Sequence, residues 1–107
     1  MNKSDNINFR GKFRQYDPEG KPYLYLIGDA VEYGSKRYVA VRPTSSSVPG
    51  SQEAKNIWKE LSGNQGFYIQ EPPSPVNVNI GDRWYVPSTE ILYTYVQEES
   101  NKFWVEL

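Results

Sequence analysis

Residues 25–33 read Tyr-Leu-Ile-Gly-Asp-Ala-Val-Glu-Tyr, and this stretch decides how the chain folds. Gly28 can adopt the positive φ that a sharp turn requires, because glycine carries no Cβ. The carboxylate of Asp29 can accept a bond from a backbone N–H two residues further on and so fix that turn. The aromatic and β-branched residues around this pair favour strands. The stretch therefore predicts a tight turn that opens into a strand.

A β-hairpin is predicted directly after this turn. Residues 30–33 form its first strand, and Gly34 with Ser35 supplies a two-residue turn of the kind that begins with glycine. Residues 37–42 form the return strand. Pro43 ends that strand, because proline has no backbone N–H to donate to a sheet.

The same order of features occurs a second time in the chain. Ile-Gly-Asp stands at residues 27–29 and again at residues 80–82, and both copies lead into a hairpin with tyrosine on each arm. Both halves end on Trp-x-Glu-Leu, at residues 58–61 and 104–107. A two-stranded hairpin is only marginally stable alone, and a closing tryptophan can cover its open face. The chain is therefore predicted to use one compact unit twice, with a junction near residues 62–66.

This repeat predicts a mainly β fold made of two small antiparallel β modules in tandem. The predicted organisation is an N-terminal arm at residues 1–8, a first unit at 9–61, a linker at 62–66 and a second unit at 67–107. The arm is polar, and polar termini usually fray unless something holds them.

One short helix is predicted near residues 51–61. Ser51 can cap its first turn. The apolar residues that follow fall on one face of a helix; they are Ala54, Ile57, Trp58 and Leu61. This spacing favours a helix for the last segment of the first unit.

The charge balance argues against nucleic acid and membrane partners. Lys and Arg total 12 and Asp and Glu total 13, for a net charge of -1, whereas a phosphate-binding surface normally carries a basic excess. No apolar run approaches the length of a membrane helix, and residues 1–6 are too polar for a signal peptide. We expect a protein that is made in the cytoplasm without a signal peptide.

The residue types present do not suggest a catalyst. The sequence has no His and no Cys, so the most common general base, the thiol nucleophile, disulfides and thiolate metal sites are all ruled out. Asp29 and Asp82 are better explained by their turns than by catalysis. Neither a phosphate-binding glycine loop nor a cluster of oxygen ligands is recognisable. We predict that the protein is not an enzyme and that it uses no cofactor and no metal.

Aromatic residues, at 15% of the chain, are the remaining candidates for recognition. Exposed planar rings suit contact with a sugar face or with another protein. The candidates for glycan or partner contact are Tyr33, Tyr38, Trp58, Trp84 and Tyr85. The alternative is that the tryptophans fill the core, because a thin module has little else to bury. We favour the core for Trp58 and Trp104.

The first half resembles the chitin-type carbohydrate-binding modules. The resemblance rests on residues 25–33 and 36–41, with Pro49-Gly50 and Trp58 further on. The family pattern runs Tyr, a gap, Gly-Asp, a hydrophobic residue, Tyr, Gly, Tyr and Ala, and later Pro-Gly and Trp. This resemblance implies a β module that recognises a glycan of a cell surface.

The second half is similar to segments of tail-fibre and other structural proteins of tailed phages, including cyanophage-like virions. The similarity lies in Pro72-Pro73 and in residues 80–85, 91–95 and 103–107. It implies a non-catalytic virion structural protein of the tail, neck, baseplate or capsid exterior, where it would serve as decoration. Its partners would be other virion proteins, and a homo-oligomer is expected because small β modules often assemble. The alternative is a carbohydrate-binding module for a host surface glycan.

Overall fold

The structure, a computed structural model, describes residues 7–45, 47–62 and 65–107. Internal contacts divide the chain into two compact units, Ile7–Ser62 and a second unit that contains residues 65–107. Each unit is built on one four-stranded sheet. The prediction of a mainly β fold with two small modules is confirmed.

The predicted arm and linker fall only partly within the described residues. Residues 1–6 of the arm and residues 63 and 64 of the linker lie outside them. Asn8, at the end of the predicted arm, is the first residue of a strand. Gly66, at the end of the predicted linker, is buried. The first strand therefore begins within the predicted arm, and the second unit includes the last residue of the predicted linker.

The first sheet has the strand order β1-β2-β3-β4. Its strands are β1 (Asn8–Lys12), β2 (Asp29–Tyr33), β3 (Lys36–Ala40) and β4 (Trp58–Leu61). The predicted hairpin forms between β2 and β3, where Tyr33 pairs with Lys36 across the turn. β3 and β4 are also antiparallel.

The second sheet repeats this arrangement with the order β5-β6-β7-β8. Its strands are β5 (Phe67–Ile69), β6 (Arg83–Val86), β7 (Ile91–Glu98) and β8 (Asn101–Glu106). The two Trp-x-Glu-Leu segments occupy the same place in their sheets. Trp58 lies opposite Ala40, and Trp104 lies opposite Tyr95.

One pairing in each sheet differs from the antiparallel prediction. β1 runs parallel to β2, and β5 runs parallel to β6. A parallel pair needs a long connection, because the chain must return to the end of the sheet at which it started. Residues 13–28 and residues 70–82 provide these connections. Each sheet is therefore mixed.

The helix predicted near residues 51–61 is limited to one 3-10 turn at Gln52–Ala54. Ser51 has extended backbone angles but makes no side-chain cap bond, and its hydroxyl instead donates to the carbonyl of Val48 at 2.8 Å. Trp58–Leu61 is strand β4 and not helix. The pairing of this segment with β3 outweighs the helical spacing of its apolar residues, since tertiary contacts routinely override local propensity.

The core of the first unit is a cluster formed by Tyr25, Val31, Ala40, Ala54 and Trp58. Burial raises the pKa of Tyr25, and its hydroxyl oxygen accepts the backbone N–H of Arg14 at 2.9 Å. The indole Nε1–H of Trp58 donates to the carbonyl of Ser47 at 3.0 Å. Ser47 and Ala54 both belong to the connection between β3 and β4, so this connection covers the core face of the sheet.

Replacing Trp58 with Ala should destabilise the protein by about 3–5 kcal/mol, because it empties a buried site and leaves the Ser47 carbonyl without its donor. Trp104→Ala is the matched control at the equivalent position of the second unit. Its effect should be smaller, because Trp104 keeps part of its surface in solvent. Urea denaturation followed by circular dichroism measures both free energies of unfolding. Equal losses for the two variants would contradict this assignment of the core.

Candidate functional site

A buried aspartate organises the turn that precedes the central hairpin of the first unit. The backbone N–H of Asp29 donates to the carbonyl of Leu26 at 3.0 Å, and the N–H of Leu26 donates to Asp29 Oδ2 at 2.8 Å. Gly28 has a φ of 93°, as the third position of a type II turn requires. The carboxylate therefore bonds three residues back along the chain, and the prediction of a bond two residues further on was wrong.

The second unit contains the same turn with nearly the same distances. The N–H of Asp82 donates to the carbonyl of Asn79 at 3.0 Å, and the N–H of Asn79 donates to Asp82 Oδ2 at 2.9 Å. Gly81 has a φ of 95°. The repeat recognised in the sequence is thus also a repeat of hydrogen bonds.

The other carboxylate oxygen of each aspartate reaches towards the first strand of its sheet. Asp29 Oδ1 accepts the side-chain amide of Asn8 at 3.3 Å, while Arg10 approaches Oδ2 at 3.4 Å. Asp82 Oδ1 accepts the backbone N–H of Gly66 at 2.9 Å. A Cβ at position 66 would lie 3.0 Å from this carboxylate, so any larger residue there would have to displace the Asp82 side chain. Both carboxylates serve to tie a turn to a strand.

The five predicted contact residues do not form one exposed surface. Trp58 in the first unit, and Trp84 and Tyr85 in the second, are buried. Tyr38 packs against the first core and is half-buried. Tyr33 is the most accessible of the five at 45% exposure. The structure therefore removes three of these rings from any role in surface contact.

Trp84 is the inner member of an aromatic cluster in the second unit. It stacks on Tyr93 with ring centroids 4.9 Å apart and meets the edge of Trp104 at 5.6 Å. Its Nε1–H donates to the carbonyl of Gln70 at 2.9 Å. Tyr95 lies against Trp104 at 4.9 Å. The indole N–H of Trp84 thus has an acceptor and its ring is buried, whereas the outer rings of Tyr95 and Trp104 are only half-buried.

A groove of about 500 Å³ lies beside these outer rings. It is lined by the aromatic residues Tyr95, Phe103 and Trp104 and by residues 74–78. Lys102 contributes a cation to the rim. The groove therefore brings aromatic rings and a charged group together in one open depression of the second unit.

The groove exists because the second unit lacks a segment that the first unit has. Residues 41–57 connect β3 to β4 and bring Ala54 into the core around Trp58. In the second unit the equivalent strands, β7 and β8, are joined by a tight turn in which Glu98 pairs with Asn101. With no such connection above it, the equivalent face of the second sheet stays partly open.

Sequence reasoning missed the groove because it assigned Trp104 to the core and did not consider Tyr95 or Phe103. A comparison of loop lengths between the two copies of the repeat could have indicated the groove. The distance from the hairpin to Trp-x-Glu-Leu is long in the first half and short in the second, which means that the covering segment is present only once. A difference in loop length between two copies of a unit can therefore locate a surface.

Within residues 7–45, 47–62 and 65–107, Asp and Glu side chains form no group of three or more that could hold a metal ion. None of the described helical segments has the length and apolar character of a membrane span. Lys59 of β4 is partly buried, and this burial lowers the pKa of its ammonium group.

Comparisons with known proteins find no matching family model, no matching curated protein and no matching solved structure. The resemblances to chitin-type modules and to tailed-phage proteins therefore stay predictions.

Replacing Asp82 with Asn should lower stability by about 1–3 kcal/mol, because an amide offers one acceptor oxygen where the buried carboxylate uses two. Asp17→Asn is a suitable control, since its carboxylate also accepts two backbone bonds but is partly exposed. Its effect should be smaller. Thermal and urea unfolding would measure both variants, and a neutral D82N would show that the turn does not depend on this carboxylate.

Proposed function

We propose that this protein is a non-catalytic structural component of a tailed-phage virion and that it acts through protein–protein contacts. The observation that carries this proposal is the exposure of large apolar side chains around the turn of the first unit. Leu24, Leu26 and Ile27 are exposed by 57%, 54% and 46%. These three residues lie within four positions of the chain, and clustered exposed apolar side chains are candidates for interaction sites in soluble proteins.

Successive side chains of residues 24–26 point to opposite faces, which explains why Leu24 and Leu26 face outwards. Tyr25 is buried in the core and is paired with Thr44 by two backbone bonds, so its neighbours Leu24 and Leu26 point away from the core. Each side chain of this size gains about 1.5–3 kcal/mol when it is fully buried. A partner that covers this segment would recover part of that free energy.

The use of the two buried carboxylates supports a role without catalysis. Asp29 and Asp82 are both buried. Burial is common among catalytic carboxylates in general, so their hydrogen bonds decide which role they have. Their oxygens accept bonds that hold a turn and a first strand together. This structural role accounts for both carboxylates.

The virion assignment rests on the similarity of the second half to structural proteins of tailed phages. The open groove favours a second candidate function, the recognition of a glycan. Tyr95 and Trp104 offer ring faces, and Lys102 with the amide of Asn77 offers hydrogen-bond donors at the same groove. This combination of rings and donors suits a sugar, which has both apolar faces and hydroxyl groups.

The proposal predicts that the protein is found in purified phage particles at a constant number of copies per virion. Quantitative mass spectrometry of gradient-purified particles would measure this number. The lysate supernatant provides the comparison. A protein that is abundant in the lysate and missing from the particles would overturn the virion assignment.

The second candidate predicts that soluble chitin oligosaccharides change the tryptophan fluorescence, because Trp104 lines the groove. Tyr95→Ala should abolish this change. Tyr16→Ala is the matched control, since Tyr16 is 57% exposed in the first unit. A flat titration of the unaltered protein would remove this candidate.

A further inference from the structure

Strand β8 is the longest edge strand among the described residues. The outer strands of the first sheet are β1, whose pairing is irregular between Phe9 and Lys12, and β4, which has four residues. β5 has only three residues, and β8 has six. β8 contains no proline and pairs with β7 without a register shift, so neither proline nor a bulge interrupts its outer edge. It therefore presents a regular template for another strand.

The hydrogen-bond pattern shows which backbone groups of β8 face outwards. Leu107 donates its N–H to the carbonyl of Leu92 at 2.9 Å, so it belongs to a pair that bonds inwards. Such pairs alternate with pairs that bond outwards along an antiparallel ladder. The N–H and C=O groups of Lys102, Trp104 and Glu106 consequently point to the free edge. No described strand pairs with that edge.

The side chains of the same three residues have charged or polar groups without a protein partner among the described residues. Within residues 7–45, 47–62 and 65–107, neither Lys102 nor Glu106 forms an ion pair. Trp58 and Trp84 donate their indole N–H groups to carbonyls, whereas Trp104 has no acceptor among the described residues. Trp104 also keeps part of its surface in solvent.

We propose that β8 pairs antiparallel with β8 of a second copy of this chain, around a twofold axis at Trp104. In this register Lys102 of each copy lies opposite Glu106 of the other, so the same ion pair forms on both sides of the axis. Each outward-facing residue exchanges both of its backbone bonds with the residue opposite. The two second sheets become one continuous sheet.

Charge complementarity selects this register over its neighbours. A shift by two residues in either direction keeps outward-facing groups opposite one another. It also places Trp104 opposite a charged residue and separates Lys102 from Glu106. The register centred on Trp104 instead sets Trp104 against Trp104 and Phe103 against Val105, and apolar and aromatic cross-strand pairs of this kind are favourable. Because Lys102 and Glu106 stand two residues on either side of Trp104, the edge of β8 is complementary to itself.

This inference rests on the proposed function, because it names one of the protein–protein contacts. Light scattering after size exclusion, over a range of concentrations, measures the dimer. K102E and E106K each place like charges opposite one another twice, and each should raise the dissociation constant about tenfold or more. An equimolar mixture of K102E and E106K restores opposite charges at both pairs, as does the double variant K102E/E106K. Both should dimerise as well as the unaltered chain.

The controls K55E and E53K make the same changes of charge at exposed positions in the first unit and should leave the dimer unchanged. Rescue by mixing also separates a lost interface from a misfolded variant. An unaltered chain that stays monomeric at every concentration overturns the inference. So does an oligomer that K102E and E106K leave intact, although that oligomer would still be consistent with a structural protein that assembles through another surface.

Discussion

The bond between a buried carboxylate and the backbone of its own turn is the interaction on which each sheet depends. Asp29 and Asp82 each hold the turn closed and reach towards the first strand. A buried carboxylate without such partners would be strongly destabilising. Because the aspartate stands where β2 or β6 begins, this arrangement fixes where the central hairpin starts relative to its parallel neighbour.

The two units share this arrangement but differ in the connection that leads to their last strand. In the first unit, residues 41–57 return over the sheet, and the face around Trp58 becomes a closed core. In the second unit, a tight turn leads directly into β8, and the equivalent face keeps a groove. The same tight turn makes β8 a long and regular edge. Both the groove and the edge therefore result from one short connection, and they lie next to each other at Lys102, Phe103 and Trp104.

The sequence was sufficient to predict the two β units and their hairpins, because alternation and turn residues are local signals. It was insufficient for the parallel direction of β1, which depends on the path of the long connection at residues 13–28. The helix near residues 51–61 was overestimated because the spacing of its apolar residues suits a helix, although Trp-x-Glu-Leu also suits a strand. The contact residues were harder to predict, since the burial of Trp84 and Tyr85 depends on packing between distant segments.

The turn between β7 and β8 also has a consequence for how such a module can change. Glu99 adopts a φ of 59° there, and the first unit accommodates a long insertion at the equivalent place without losing its strand order. A longer segment could therefore be inserted at this position without changing the strand order. Lengthening the loop at Glu99 and Ser100 would close the second unit as the first is closed. In this architecture an open groove can arise where the segment that covers the sheet is absent.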